Sequence, residues 1–359
     1  MSLDERDGPS LPHAPESLRI LTWIAAAAAA LTVAWLARTV LIPLVIALGA
    51  LVLIMALAKR IGEIPIGGRR LPPVAAGAAS VIAITLIGIF IALYVGRSIA
   101  GVVASAPVYQ ERLSAAAQRF EAWTGIDVAA ITAQAFRDVD VQAMVIGAVS
   151  AVSDIASASG LVIVFLGFML VEQRHLARKM RLIAGGGDAA RTAEAAIERV
   201  GQSVTRYIAT KTATATAMGF SGFVILAIAG VDHAAFWGFV IFLLDFIPTI
   251  GSLSAVLLAT LAALAQFGEP GPALGVGVAL GALQIVLGNV VEPRLMGTSL
   301  NLSPLAVILA LSVWGLLWGV TGLFLAVPLT GALVIVCAEF AATRWLAIAL
   351  SFDGRVGKD

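Results

Sequence analysis

Charge is what this chain has least of: between Thr212 and Thr343 only Asp232, Asp245, Glu269, Glu292, Arg294 and Glu339 carry any. That scarcity excludes a soluble globular fold, which holds about 25% charged residues against 13% here, with 60% hydrophobic. Cysteine is nearly absent as well. Cys337 alone rules out an internal disulfide, and in the run Val334-Ile335-Val336-Cys337-Ala338 it reads as a small buried hydrophobe. The three histidines, His13, His175 and His233, lie far apart, with no carboxylate pair at ligand spacing. No HExxH, CxxC, GxSxG or GxxxxGK[ST] occurs, and the loop Gly185-Gly186-Gly187-Asp188 lacks the lysine that a nucleotide phosphate needs. No catalytic residue, metal site or cofactor is therefore expected. A net charge of +1 without a long basic run argues against nucleic acid as a partner. Residues 1–19 are acidic and bear Pro9, Pro12 and Pro15 without a basic n-region, which predicts a disordered cytoplasmic tail.

What is present is bilayer-length apolar sequence. Spans of about 17–25 residues fall at 20–37, 40–58, 74–96, 146–171, 212–231 and 272–291. Two further runs, 234–267 and 303–341, would extend about 50 and 58 Å as continuous helices, against a hydrocarbon core of about 30 Å. Each must bend or break. Pro248 and Gly251 interrupt the first, and Gly319, Gly322 and Pro328 the second. The expected fold is thus all-α and polytopic, with about eight membrane segments, two of them broken or re-entrant hairpins. Free backbone groups at membrane depth are tolerated only inside protein or beside water, and such discontinuous helices mark transporter binding sites.

Seventeen of the 23 basic residues sit in the tail, the 59–70 loop, the 172–211 segment and the C-terminal 342–359 segment, which puts these regions and both termini in the cytoplasm. The outer region, 97–145, carries Val102, Val103, Ala106, Tyr109, Leu113, Ala117, Phe120 and Trp123 at helical spacing, and Gly125-Ile126-Asp127 would open a further helix. Inside, 188–210 repeats the pattern with Ile197, Val200, Val204 and Ile208, a basic amphipathic helix that suits packing on the protein's own cytoplasmic face, or else lipid or a neighbouring subunit. Gly277 with Gly281 and Ala213 with Ala217 allow close helix contact, within the chain or in a homo-oligomer.

A charge at the bilayer centre costs roughly 2.5–3.5 kcal/mol on insertion scales, so intramembrane charges are functional candidates by default. Asp245, three residues before Pro248, is placed to bind a cation or a substrate hydroxyl with the backbone around Pro248, Thr249 and Gly251; a plain helix-capping role is the alternative. Asn289, Glu292 and Arg294 would face it from the other hairpin, although Glu292 and Arg294 also flank Pro293 and suit local pairing. Asp154, among serines, is a candidate for lining an aqueous path or for a wetted helix end, and Gln284 for lining the path or, like Asn289, for ordinary interhelical bonding.

The segments Leu41-Ile42-Pro43-Leu44-Val45-Ile46-Ala47, Leu244-Asp245-Phe246-Ile247-Pro248-Thr249-Ile250-Gly251 and Gly288-Asn289-Val290-Val291-Glu292-Pro293-Arg294-Leu295-Met296-Gly297 resemble the autoinducer-2 exporter family of bacterial transporters. So do Leu302-Ser303-Pro304-Leu305, Trp314-Gly315 and Leu325-Ala326-Val327-Pro328-Leu329. The resemblance implies an eight-segment inner-membrane permease with an extracytoplasmic helical region after the third segment, and an oligomeric assembly. Members are associated with export of a furanosyl quorum-sensing signal or with sodium- or lithium-for-proton antiport. Asp245 stands where the family often has asparagine. The expectation is a secondary transporter of a small solute, coupled to a proton or sodium gradient, whose hairpins move as a unit against the first four spans. A Na+(Li+)/H+ antiporter, a gated channel and a non-transporting scaffold are the alternatives.

Overall fold

The computed structural model describes residues 16–66, 69–124, 160–172, 175, 178–179, 188–296 and 301–355. Helices dominate. α1 (Glu16–Leu36) and α2 (Arg38–Glu63) meet at Ala37, whose backbone still bonds Val33 and Leu41. A two-residue ladder, β1 (Pro65–Ile66) with β2 (Arg69–Arg70), joins α2 to α3 (Pro73–Thr124). α4 (Gly160–Glu172) precedes α5 (Asp188–Ile228). The core then follows as α6 (Ala234–Asp245), α7 (Ile250–Phe267), α8 (Pro270–Val286), a π-turn (Leu287–Val291), α9 (Glu292–Met296), α10 (Pro304–Glu339) and α11 (Arg344–Leu350). Among the described residues six helices are long and apolar enough to cross a membrane, and α1, α4 and α6 contribute shorter apolar stretches. The chain is a multi-pass membrane protein.

Two boundaries read from sequence fall inside helices. The third span and the outer amphipathic stretch are one helix, α3, because Tyr94–Val103 contains no proline and its two glycines are isolated. Likewise 188–210 and all but the last three residues of 212–231 form the single helix α5, with neither glycine nor proline between Gly201 and Gly219. The tail drawn over 342–359 contains α11, which packs on Val334 and Cys337. Cys337 is buried, as its apolar run implies. The helix expected after Gly125 and most of the 146–171 span lie outside the described residues.

Both long runs are hairpins that return to the side they leave. In the first, α6–α7, the Gln266 amide near the exit donates to the Gly230 carbonyl at 2.8 Å and accepts from the Asp232 N–H at 2.5 Å, so entry and exit lie together beside the end of α5. In the second, α10 folds back at Gly319, and Trp314 Nε1 donates to Thr330 Oγ1 at 3.0 Å. Its ends also meet: Leu302 bridges Ser351, and Ser303 N–H donates to the Leu350 carbonyl. Glu339, at its exit, pairs with Arg199 of α5. Arg199 and Ile228 are about 44 Å apart along the helix, more than the hydrocarbon thickness. The hairpins therefore enter from opposite ends of α5, and they meet in the middle, where Phe246 contacts Phe324 and Ile247 packs with Ala310, Leu311 and Ala326.

Glycine sets how closely α5 and α6 approach. A Cβ on Gly219 would lie 2.6 Å from Phe242 Cβ, and one on Gly238 would lie 2.6 Å from Phe223 Cβ, which fixes an antiparallel register. The resulting core joins Met218, Leu226, Ile241, Ala255, Ala259, Ala263, Ala273, Val276 and Leu280. α8 docks on α7 through Gly277, opposite Thr260, whereas Gly281 has no neighbour there among the described residues and Ala213 and Ala217 are exposed.

Candidate functional site

The apolar stripe Ile197, Val200, Val204, Ile208 continues down α5 with its next three-residue step at Lys211, then Thr214, Ala215 and Met218. The face that buries Ala215 and Met218 thus also buries an ammonium. Lys211 is 2% exposed. Left alone it would be untenable, since the desolvation of an ion runs to several kcal/mol.

Two carboxylates surround it. Asp245, 3% exposed at the last turn of α6, brings Oδ2 to 3.0 Å from Lys211 Nζ. Glu292, the first residue of α9, accepts from the same nitrogen through Oε1 at 2.8 Å and Oε2 at 2.9 Å. The register of α5 against α6 delivers the aspartate, and the π-turn after α8 delivers the glutamate. Tyr207, one turn before Lys211 on α5, is also buried at 5% exposure. With all three groups ionised the cluster carries one positive and two negative charges.

The break beside Asp245 is tightly made. Ile250 N–H donates to the Pro248 carbonyl at 2.6 Å across Thr249, whose φ of 62° and ψ of −60° make a positive-φ γ-turn, a rare and strained conformation for a threonine. Gly251 is buried against the Leu244 carbonyl so closely that no Cβ fits.

Of the residues expected from sequence, the structure brings Asp245 and Glu292 together, with Pro248, Thr249 and Gly251 forming the adjoining tip. Glu292 bonds Lys211, not Arg294: the first turn of α9 points it back toward α5, while Arg294 is exposed and enters no described ion pair. Asn289 is exposed on the π-turn and lies outside the cluster. Gln284 lies on α8 with its Oε1 buried and, among the described residues, unpartnered, a condition that costs about 1–3 kcal/mol. Asp154 is outside the described residues. Among the described residues no group of three or more metal-ligating side chains occurs. Lys211 and Tyr207 are the residues that sequence reasoning missed. Ending the cytoplasmic segment at 211 counted Lys211 as a topogenic charge; extending the apolar stripe by one step would have found it.

A family profile described as AI-2E family transporter matches residues 24–342. The AI-2 transport protein TqsA of Escherichia coli (strain K12) is 29% identical over 321 residues, 88% of this chain and 90% of that protein. A Haemophilus influenzae protein provisionally described as a transport protein is 39% identical over 172 residues, 47% of this chain and 48% of its own length. YhhT of E. coli K12, with the same provisional description, is 34% identical over 176 residues, 49% of each chain.

Proposed function

Because this chain belongs to the AI-2E family of transporters, we propose that it carries a small polar solute across the bacterial inner membrane by alternate opening of its two opposed hairpins, with both termini in the cytoplasm. The observation that carries this reading is the buried Lys211–Asp245–Glu292 cluster at the tip of the first hairpin. An ion pair of this kind stabilises weakly relative to apolar packing, yet costs about 3–5 kcal/mol to break from one side. It suits a lock that must open and reclose better than it suits permanent reinforcement. TqsA is a relative that transports AI-2 by name, which makes AI-2 the first cargo to try.

The odd charge count supports coupling. One proton or monovalent cation on the carboxylates would neutralise the cluster and loosen Asp245 from Lys211, freeing the tip. Movement of solute would then be linked to movement of that ion. The test is AI-2 flux and proton flux in sealed proteoliposomes, native against Asp245→Asn. Flux in the native protein with loss of its pH dependence in the variant is the expected result; equal flux and equal pH dependence would remove Asp245 from the transport path.

A further inference from the structure

The ion cluster leaves one buried group on the same helix face unexplained. On α8 the inward positions are Ala273, Val276 and Leu280, and the next step of that stripe is Gln284, followed by Leu287 packed on the same cluster. Leu280 lies against Gly222 of α5, and Glu292 holds Lys211, so Gln284 stands between these two levels, facing α5. Its Oε1 has no partner among the described residues, and its Nε2 lies over Gly288, where an added Cβ would come within 2.5 Å of it.

The π-turn decides what shares a face with Gln284. Over eight residues an ordinary α-helix turns about 800°, which would set Glu292 roughly 80° away. The wider turn at Leu287–Val291 absorbs about one residue and brings amide and carboxylate within roughly 20°. Such insertions gather at functional sites. Here the insertion aligns Gln284 with the ion cluster, about 11 Å further along toward the entry of the first hairpin.

We propose that Gln284 is a solute-contacting, specificity-determining residue of a subsite lying between the ion cluster and the base of the first hairpin, where its amide oxygen accepts a hydrogen bond from an O–H or N–H of the carried solute. This rests on the transport reading above. A solute that brings a donor satisfies this acceptor, and an analogue without the donor does not.

The test uses the full chain in sealed proteoliposomes. Gln284→Cys in a Cys337→Ser background is exposed to a small membrane-impermeant methanethiosulfonate, with Leu280→Cys as the packed control. Labelling at 284 at least tenfold faster than at 280 is expected; equal rates would overturn the subsite. AI-2 flux is then compared for native protein and Gln284→Leu. The expected result is a half-saturating concentration about tenfold higher, maximal flux within twofold, and a melting temperature no lower than native. Unchanged half-saturation with a raised melting temperature would make Gln284 a structural orphan and overturn the proposal. If the native protein moves no AI-2, that cargo assignment fails on its own, and the labelling ratio alone decides for or against Gln284.

Discussion

The two hairpins solve one backbone problem with opposite chemistry. Each folds back on a glycine pressed against a carbonyl seven or eight residues earlier, Gly251 on Leu244 and Gly322 on Trp314, where a Cβ cannot fit. There the likeness ends. The first hairpin bears its positive φ on Thr249 and engages charges through Asp245; the second bears it on Gly319 and engages indoles. Trp314 bonds Thr330 within the hairpin, and Trp318 Nε1 donates to the Ala34 carbonyl of α1 at 3.0 Å. One tip stores strain and charge, both of which can be released. The other is held by apolar contact and neutral hydrogen bonds, which carry neither strain nor charge to release.

The sharpest way to break this contrast is to remove the ammonium. Lys211→Ala leaves the buried Asp245 and the partly buried Glu292 without their cation, and a loss of about 3–5 kcal/mol is expected, read as a fall in melting temperature in detergent. Trp314→Phe, its counterpart in the second hairpin, should cost only about 1 kcal/mol. Equal costs would erase the distinction. Where the hairpins agree, Gly251→Ala and Gly322→Ala should both destabilise by more than about 2 kcal/mol, because backbone and not a flexible side chain must give way. Where they differ in strain the sign should reverse: Thr249→Gly is expected to raise stability by about 1 kcal/mol, and Gly319→Ala to lower it by at least as much.

The smallest effect belongs to the base of the second hairpin. Asn301 Nδ2 donates to Asp353 Oδ1 at 2.9 Å, and Arg355 N–H donates to the same oxygen, holding that exposed carboxyl below its usual value of 3.8. A depressed pKa gives a contribution that is complete above the unfolded value and fades as pH drops below about 3.8 through the folded one. Hydrogen exchange at the Phe352 amide, which bonds the Asn301 carbonyl, should be unchanged between pH 5 and 8 relative to the intrinsic rate and lose protection only in stronger acid.

The membrane class and both hairpin breaks were legible because lipid tolerates so few arrangements: length against thickness, and Pro248 or Gly319 against helix continuity, leave little choice. Asp245 and Glu292 were legible as charges in apolar surroundings. Lys211 was less so, since a lysine at the edge of a basic segment satisfies the topology rule equally well inside or outside the core, and its depth shows only when the apolar stripe is carried on through the uninterrupted helix from Asp188 to Ile228. Arg294 misled for the converse reason. Adjacency in sequence to Glu292 suggested a pair, but the carboxylate of a helix's first residue was already committed to α5.

That uninterrupted α5 has a mechanical corollary. It holds the first hairpin at Lys211 and the second at Arg199, about 18 Å away along one rod. A rod rocking by about 5° around a pivot midway between the two moves each attachment by roughly 0.8 Å in opposite senses. A see-saw of that size would strain one attachment as it relaxes the other, so the two hairpins would be coupled through rigid leverage alone, with no chain of messages between them.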